Sequence, residues 1–144
     1  MKVLTLSTIL VIALSLAACS AERKTTDSPV ITEKTGITEM SGKEALPGIK
    51  AAYSQFIDVR TPEEYASGHA YRAVNIPLDT LAENMDRIEK NEPVYIICRT
   101  SNRSREAAKI LESAGFKQII VISGGTDDWQ AAGMPMADGA AINE

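Results

Sequence analysis

The residue best suited to chemistry is a cysteine that stands between a predicted strand and a predicted helix. Cys98 follows the apolar, largely β-branched run Val94–Ile97 and precedes a helical pattern over residues 105–114. Unpaired backbone N–H groups and the positive end of the helix dipole stabilise an anion at such a position. Because the thiolate is the nucleophilic form of cysteine, this placement favours a reactive thiol over an inert core cysteine.

The loop after this cysteine is rich in positive charge. Arg99, Arg103 and Arg105 follow it closely in a chain whose formal net charge is −4. This local reversal of sign suits an anionic substrate. The predicted substrate-binding residues are therefore those of the loop: Arg99, Thr100, Ser101, Asn102, Arg103 and Ser104.

Residues 98–104 have the sequence CRTSNRS, which resembles the active loop of the rhodanese family, often CRxGNRS. Motifs on both sides of the loop resemble the family signatures in the same order. They are DVR at 58–60, EEY at 63–65, GH at 68–69, NIP at 75–77, GG at 124–125, Trp129, Gly133 and Pro135. Ser101 and Arg72 depart from the pattern, because many members have glycine there. If these positions need positive φ, each side chain costs about 1 kcal/mol.

The resemblance implies a sulfurtransferase. Cys98 would take the outer sulfur of a small anionic donor such as thiosulfate and pass it, as a persulfide, to a thiol or cyanide acceptor. Asp58 and Arg60 would support the loop or form an ordinary ion pair, and no metal or organic cofactor is implied. Two alternatives remain: a non-catalytic sulfur-carrier or protein-binding module, and a phosphatase or arsenate reductase on the same fold.

Strand and helix signals alternate along the chain, which predicts an α/β fold. With the resemblance, this means a rhodanese-like domain whose mainly parallel sheet has helices on both faces. The predicted strands are 37–40, 55–59, 73–76, 94–97 and 118–122, and the predicted helices are 61–67, 79–89 and 105–114. Right-handed crossovers between parallel strands would bring Cys98, residues 58–60 and residues 123–125 to one edge of the sheet.

The N-terminal residues have the pattern of an export signal. Lys2, an apolar run over residues 3–16 and the small-residue site at 16–19 predict a cleaved signal peptide, since the run is too short for a membrane anchor. LAAC at 16–19 also resembles the bacterial lipobox, in which Cys19 is acylated; an ordinary secreted protein is the alternative. The predicted divisions are a signal peptide at 1–18, a lipid-tethered polar spacer at 19–36, the domain at 37–137 and a tail at 138–144. The resemblance to bacterial lipoproteins, together with Ser20 directly after the lipid-bearing cysteine, favours a protein anchored in the outer membrane and facing the periplasm.

The composition excludes several other kinds of site. The chain has two cysteines and one histidine. If Cys19 is acylated, Cys98 has no intramolecular partner, and Cys98 with His69 is too small a set for a zinc site. The predicted mature chain loses Lys2 and reaches a net charge of −5, which argues against nucleic acid as a partner. A monomer is expected.

Overall fold

Five strands form a single parallel sheet in this computed structural model, which describes residues 36–139. In chain order the strands of the structure are β1 Gly36–Met40, β2 Gln55–Asp58, β3 His69–Ala70, β4 Val74–Asn75, β5 Val94–Ile97, β6 Gln118–Ile122 and β7 Met136–Ala137. The sheet has the order β1-β6-β5-β2-β4, with every neighbouring pair parallel. The predicted signal peptide, Cys19, nearly all of the spacer and most of the tail lie outside the described residues.

Helices cover both faces of this sheet. They are α1 Gly42–Ile49, α2 Pro62–Ala66, α3 Asn102–Ser113 and α4 Gly125–Ala131, together with a 3₁₀ segment at Leu78–Arg87. The alternation of side chains along β5 divides the core, because Ile96 belongs to the buried cluster that contains Leu111 of α3, whereas Ile97 belongs to the cluster that contains Trp129 of α4. The predicted rhodanese-like α/β architecture is confirmed. None of the helices within residues 36–139 has the length and apolar character that a membrane crossing requires.

The parallel register aligns the carboxyl ends of the central strands. Asp58 of β2 pairs with Ile97 of β5, and Ile96 pairs with Val121 of β6. Cys98 therefore leaves the sheet at the same edge as residues 59–60 and 123–125. The βαβ unit predicted over residues 94–122 is present as β5-α3-β6, and α3 is followed, as expected, by the left-handed Gly115, whose φ is +89°.

Helix α1 was not predicted, because Pro47 and Gly48 disfavour a helix. The structure starts this helix with a capping box, in which Ser41 and Glu44 bind each other's backbone N–H groups. Ala45 and Ile49 are both buried against the sheet. Their burial offsets the hydrogen bond that Pro47 cannot donate.

Other elements also differ from the prediction. The helix predicted at 79–89 is a 3₁₀ segment at Leu78–Arg87, interrupted at Asn84 (φ −112°, ψ 15°), whose side-chain amide donates to the Thr80 carbonyl at 2.8 Å. The apolar spacing was nevertheless informative, because Leu81 and Ile88 are buried. The antiparallel pair β3–β7 was missed, since two-residue strands are too short to show a period.

Candidate active site

Cys98 lies directly after β5 and shortly before α3, and its side chain is buried. The residue at the N-cap of α3, Ser101, has φ +77° and makes no capping hydrogen bond. By contrast, α1 and α2 both begin with a complete capping box. The first turn of α3 therefore has no capping side chain, which leaves its backbone N–H groups free to bind an anion.

The first turn of α4 supports the backbone of this loop. The Thr126 N–H donates to the Cys98 carbonyl at 2.8 Å, and the Asp127 N–H donates to the Arg99 carbonyl at 3.2 Å. At Gly125, where φ is +61°, a Cβ atom would lie 2.3 Å from the Cys98 carbonyl oxygen. This position thus requires glycine, and the GG motif fixes the loop in addition to forming a strand-to-helix turn.

The three loop arginines differ in their partners. Arg103 forms a bidentate ion pair with Glu64 of α2, with distances of 2.6 and 2.8 Å. Arg105 pairs with Glu39 of β1 in a more exposed position. Arg99 is exposed and has no ion pair within residues 36–139. Among these three arginines, Arg99 is therefore the one most available to an anionic ligand.

The Arg103–Glu64 pair joins α2 to the start of α3 and changes the titration of both groups. Hydrogen bonds from Arg103 are the main cause that lowers the pKa of Glu64 from 4.5 to about 2, against the opposing effect of burial. The same hydrogen bonds are the main cause that raises the pKa of Arg103, and the nearby charges of Glu64, Cys98 and Asp58 add to it. The pair therefore stays ionised at neutral pH.

The pair is expected to make stability depend on pH. Because the pKa of Glu64 is depressed in the folded state, its contribution is complete above about pH 4.5 and is lost as the pH falls toward 2. Both side chains are one-third exposed, so we expect Glu64→Gln to lower the free energy of unfolding by only about 1 kcal/mol at pH 7. Urea unfolding should show this difference shrinking between pH 4.5 and pH 3. A difference of equal size at both pH values would contradict an ionic origin.

Asp58 and Arg60 form a second ion pair, which is almost fully buried. Arg60 Nη2 lies 2.8 Å from Asp58 Oδ2 and also donates to the Gly68 carbonyl at 2.8 Å. The Asn75 amide donates to the carbonyls of both Asp58 and Arg60. Arg60 also lines a polar groove of about 220 Å³ together with Arg99 and Thr126. The pair thus connects the end of β2 to the surface beside the loop.

The other predicted loop residues divide by burial. Thr100 and Asn102 are exposed, and Ser101 and Ser104 are buried.

His69 is the single histidine of the chain. Its ring stacks on the ring of Tyr65 with the two centroids 3.6 Å apart, and its Nδ1 lies 3.0 Å from the Tyr65 carbonyl oxygen. These contacts tie the histidine to the end of α2.

Both the sequence and the fold of this chain are similar to those of known proteins. The model of the family described as Rhodanese-like domain matches residues 41–132. The chain belongs to the rhodanese-like domain family. A thiosulfate sulfurtransferase, GlpE of Actinobacillus pleuropneumoniae, is 29% identical over 99 residues, which cover 69% of this chain and 92% of GlpE. Family membership thus supports sulfur transfer as the general chemistry of the site.

Two further comparisons define the extent of the similarity. The putative sulfur carrier protein YrkF of Bacillus subtilis is 37% identical over 73 residues, 51% of this chain and 40% of YrkF. The chain thus spans less than half of that relative's length. A rhodanese-related protein from Thermoplasma volcanium has a TM-score of 0.62 and 28% identity, covering 69% of this chain and 96% of that one.

Two non-glycine residues of this rhodanese-like domain, Ser101 and Arg72, have a strained backbone. Ser101 and Arg72 have φ values of +77° and +75°, so both side chains stand where the backbone is left-handed. Each side chain therefore carries the steric cost of about 1 kcal/mol that is expected for a side chain at positive φ. Glu64 was not predicted as a partner of the loop, because no local pattern connects it to an arginine 39 residues later.

Proposed function

We propose that this chain is a thiosulfate sulfurtransferase that carries sulfane sulfur as a persulfide on Cys98. The observation that supports the proposal most directly is the position of the thiol between β5 and the uncapped start of α3. An uncapped helix N-terminus supplies N–H groups and a positive dipole end to an anion. Both the attacking thiolate and the resulting persulfide are anions.

The proposed reaction transfers one sulfur atom without a net change in charge. The Cys98 thiolate attacks the outer sulfur of thiosulfate, an S–S bond forms to Cys98 Sγ, and the S–S bond of thiosulfate breaks. Sulfite leaves with the electron pair of the broken bond. An acceptor thiolate or cyanide then attacks the outer sulfur of the persulfide and regenerates the Cys98 thiolate.

Arg99 has the most direct proposed role in donor binding. It is exposed, lacks an ion pair within the part of the chain that the structure describes, and lines the polar groove beside the loop. Its guanidinium group suits the sulfonate oxygens of thiosulfate. Arg103 was also predicted to bind this group; because it is paired with Glu64, we propose that it mainly holds α3 against α2.

A sulfur-carrier role is the second candidate, and the similarity to the putative sulfur carrier YrkF favours it. In that role the same Cys98 persulfide would form, but a protein would be the acceptor. The phosphatase alternative has less support. Four residues separate Cys98 from Arg103 in this chain. The corresponding loop of rhodanese-fold phosphatases has five residues between the cysteine and the arginine. A tetrahedral phosphate needs the wider ring of donors.

Intact-mass measurement of the full-length chain tests the proposal. A Cys19→Ser background leaves Cys98 as the single thiol. After treatment with thiosulfate and removal of the reagent, we expect the mass to rise by one sulfur atom, and cyanide should remove that atom. p-Nitrophenyl phosphate should not be hydrolysed. Hydrolysis of this ester without any added sulfur would overturn the proposal in favour of a phosphatase.

A further inference from the structure

Within residues 36–139, the hydroxyl group of Ser101 has no hydrogen-bond partner. Ser101 is only 1% exposed, and its Oγ makes no hydrogen bond to any residue in the range 36–139. A buried hydroxyl group without a partner destabilises a protein, because it has lost its hydrogen bonds to water.

The backbone of Ser101 adds a second unfavourable feature. Its φ of +77° lies in the left-handed region, where a Cβ atom is crowded. Glycine at this position would remove both the strain and the unpaired hydroxyl. A strained residue held in place by its surroundings at a candidate site points to a role in that site.

The hydroxyl is not used as a helix cap. Ser41 and Thr61, the N-cap residues of α1 and α2, are extended and accept hydrogen bonds from backbone N–H groups. Ser101 occupies the same position in α3, but in its left-handed conformation it makes no such bond. Its donor therefore remains available three residues after Cys98. In the described part of the chain the Ser104 hydroxyl is also buried without a partner, but of these two serines Ser101 is the one that combines this with backbone strain.

The proposed function provides a group that needs such a donor. Formation of the persulfide moves the negative charge from Sγ to an additional sulfur atom beside Cys98, a residue that is 1% exposed. An anion in a buried position is stable only if donors bind it. We propose that the Ser101 hydroxyl donates a hydrogen bond to the outer sulfur of the Cys98 persulfide. This inference rests on the proposed function and assigns Ser101 to the persulfide form rather than to the resting enzyme.

The equilibrium between thiolate and persulfide tests this inference. The full-length chain with Cys19→Ser is equilibrated in detergent with mixtures of thiosulfate and sulfite, and intact mass gives the fraction of persulfide. We expect Ser101→Ala and Ser101→Gly each to require a ratio of thiosulfate to sulfite about fivefold higher for half conversion, the effect of one ordinary hydrogen bond. The melting temperature of untreated Ser101→Gly should be no lower than that of the parent chain.

The two variants separate the hydroxyl group from the backbone. Alanine keeps the crowded Cβ atom of the parent, and glycine removes it, so a shift in the glycine variant alone would assign the effect to backbone strain and overturn the inference. An unchanged equilibrium in both variants would also overturn it. Ser113→Ala is the matched control, because that hydroxyl is exposed at the far end of α3 and already donates to the Lys109 carbonyl. If the parent chain forms no persulfide at all, the proposed function fails first, and this inference fails with it.

Discussion

Replacing Cys98 by serine is expected to reduce transfer of sulfur from thiosulfate to cyanide by on the order of a thousandfold or more. Serine lacks the thiolate that must attack the donor, and a hydroxyl group is a far weaker nucleophile at neutral pH. Within residues 36–139 there is no second cysteine to replace it. Steady-state measurement of thiocyanate formation checks this result.

The fold of the Cys98→Ser variant should survive. The side chain is 1% exposed, so the serine hydroxyl group loses its hydrogen bonds to water and is expected to cost about 1–2 kcal/mol of the free energy of unfolding. Circular dichroism and urea unfolding separate this modest loss from global unfolding. Cys19→Ser is the matched control, and it should keep the parent rate. Appreciable transfer by Cys98→Ser would show that the persulfide mechanism is wrong.

The buried ion pair at the end of β2 should be the most sensitive electrostatic contact of the domain. Asp58 is fully buried, Arg60 is 6% exposed, and three side-chain contacts of 2.8–3.1 Å join them. Asp58→Asn removes the negative charge and leaves the guanidinium group buried without a counter-charge. We expect this change to lower the free energy of unfolding by about 3–5 kcal/mol, as measured by urea unfolding at pH 7.

A double-mutant cycle distinguishes the buried pair from general disruption. Asp58→Asn combined with Arg60→Met removes both charges, so the double variant should be less destabilised than the sum of the two single variants. Glu39→Gln is the surface control; its ion pair with Arg105 is exposed, and its unfolding midpoint should stay close to that of the parent. If Asp58→Asn were as stable as Glu39→Gln, the buried pair would make no large contribution to the free energy of unfolding.

The arginines of the loop illustrate what the sequence leaves undetermined. Their number and spacing predicted a positive loop, but all three have the same charge and lie within eight residues. Glu64 and Glu39, which pair with two of them, lie 39 and 66 residues away in the chain. Only the folded chain brings these carboxylates into contact, and only then does Arg99 differ from the others.

Local patterns determined the parallel strands, the helix after Cys98 and the arrangement of the motifs at one edge of the sheet. β-branched runs and turn residues act within a few positions of the chain, so they are visible in the sequence. The resemblance supplied the family and identified Ser101 and Arg72 as side chains at glycine positions. The structure alone decided that α1 forms despite Pro47, that Gly125 contacts the Cys98 carbonyl, and that the Ser101 hydroxyl is buried with no partner among the described residues. These features depend on contacts between residues far apart in the chain, where packing and burial outweigh local preference.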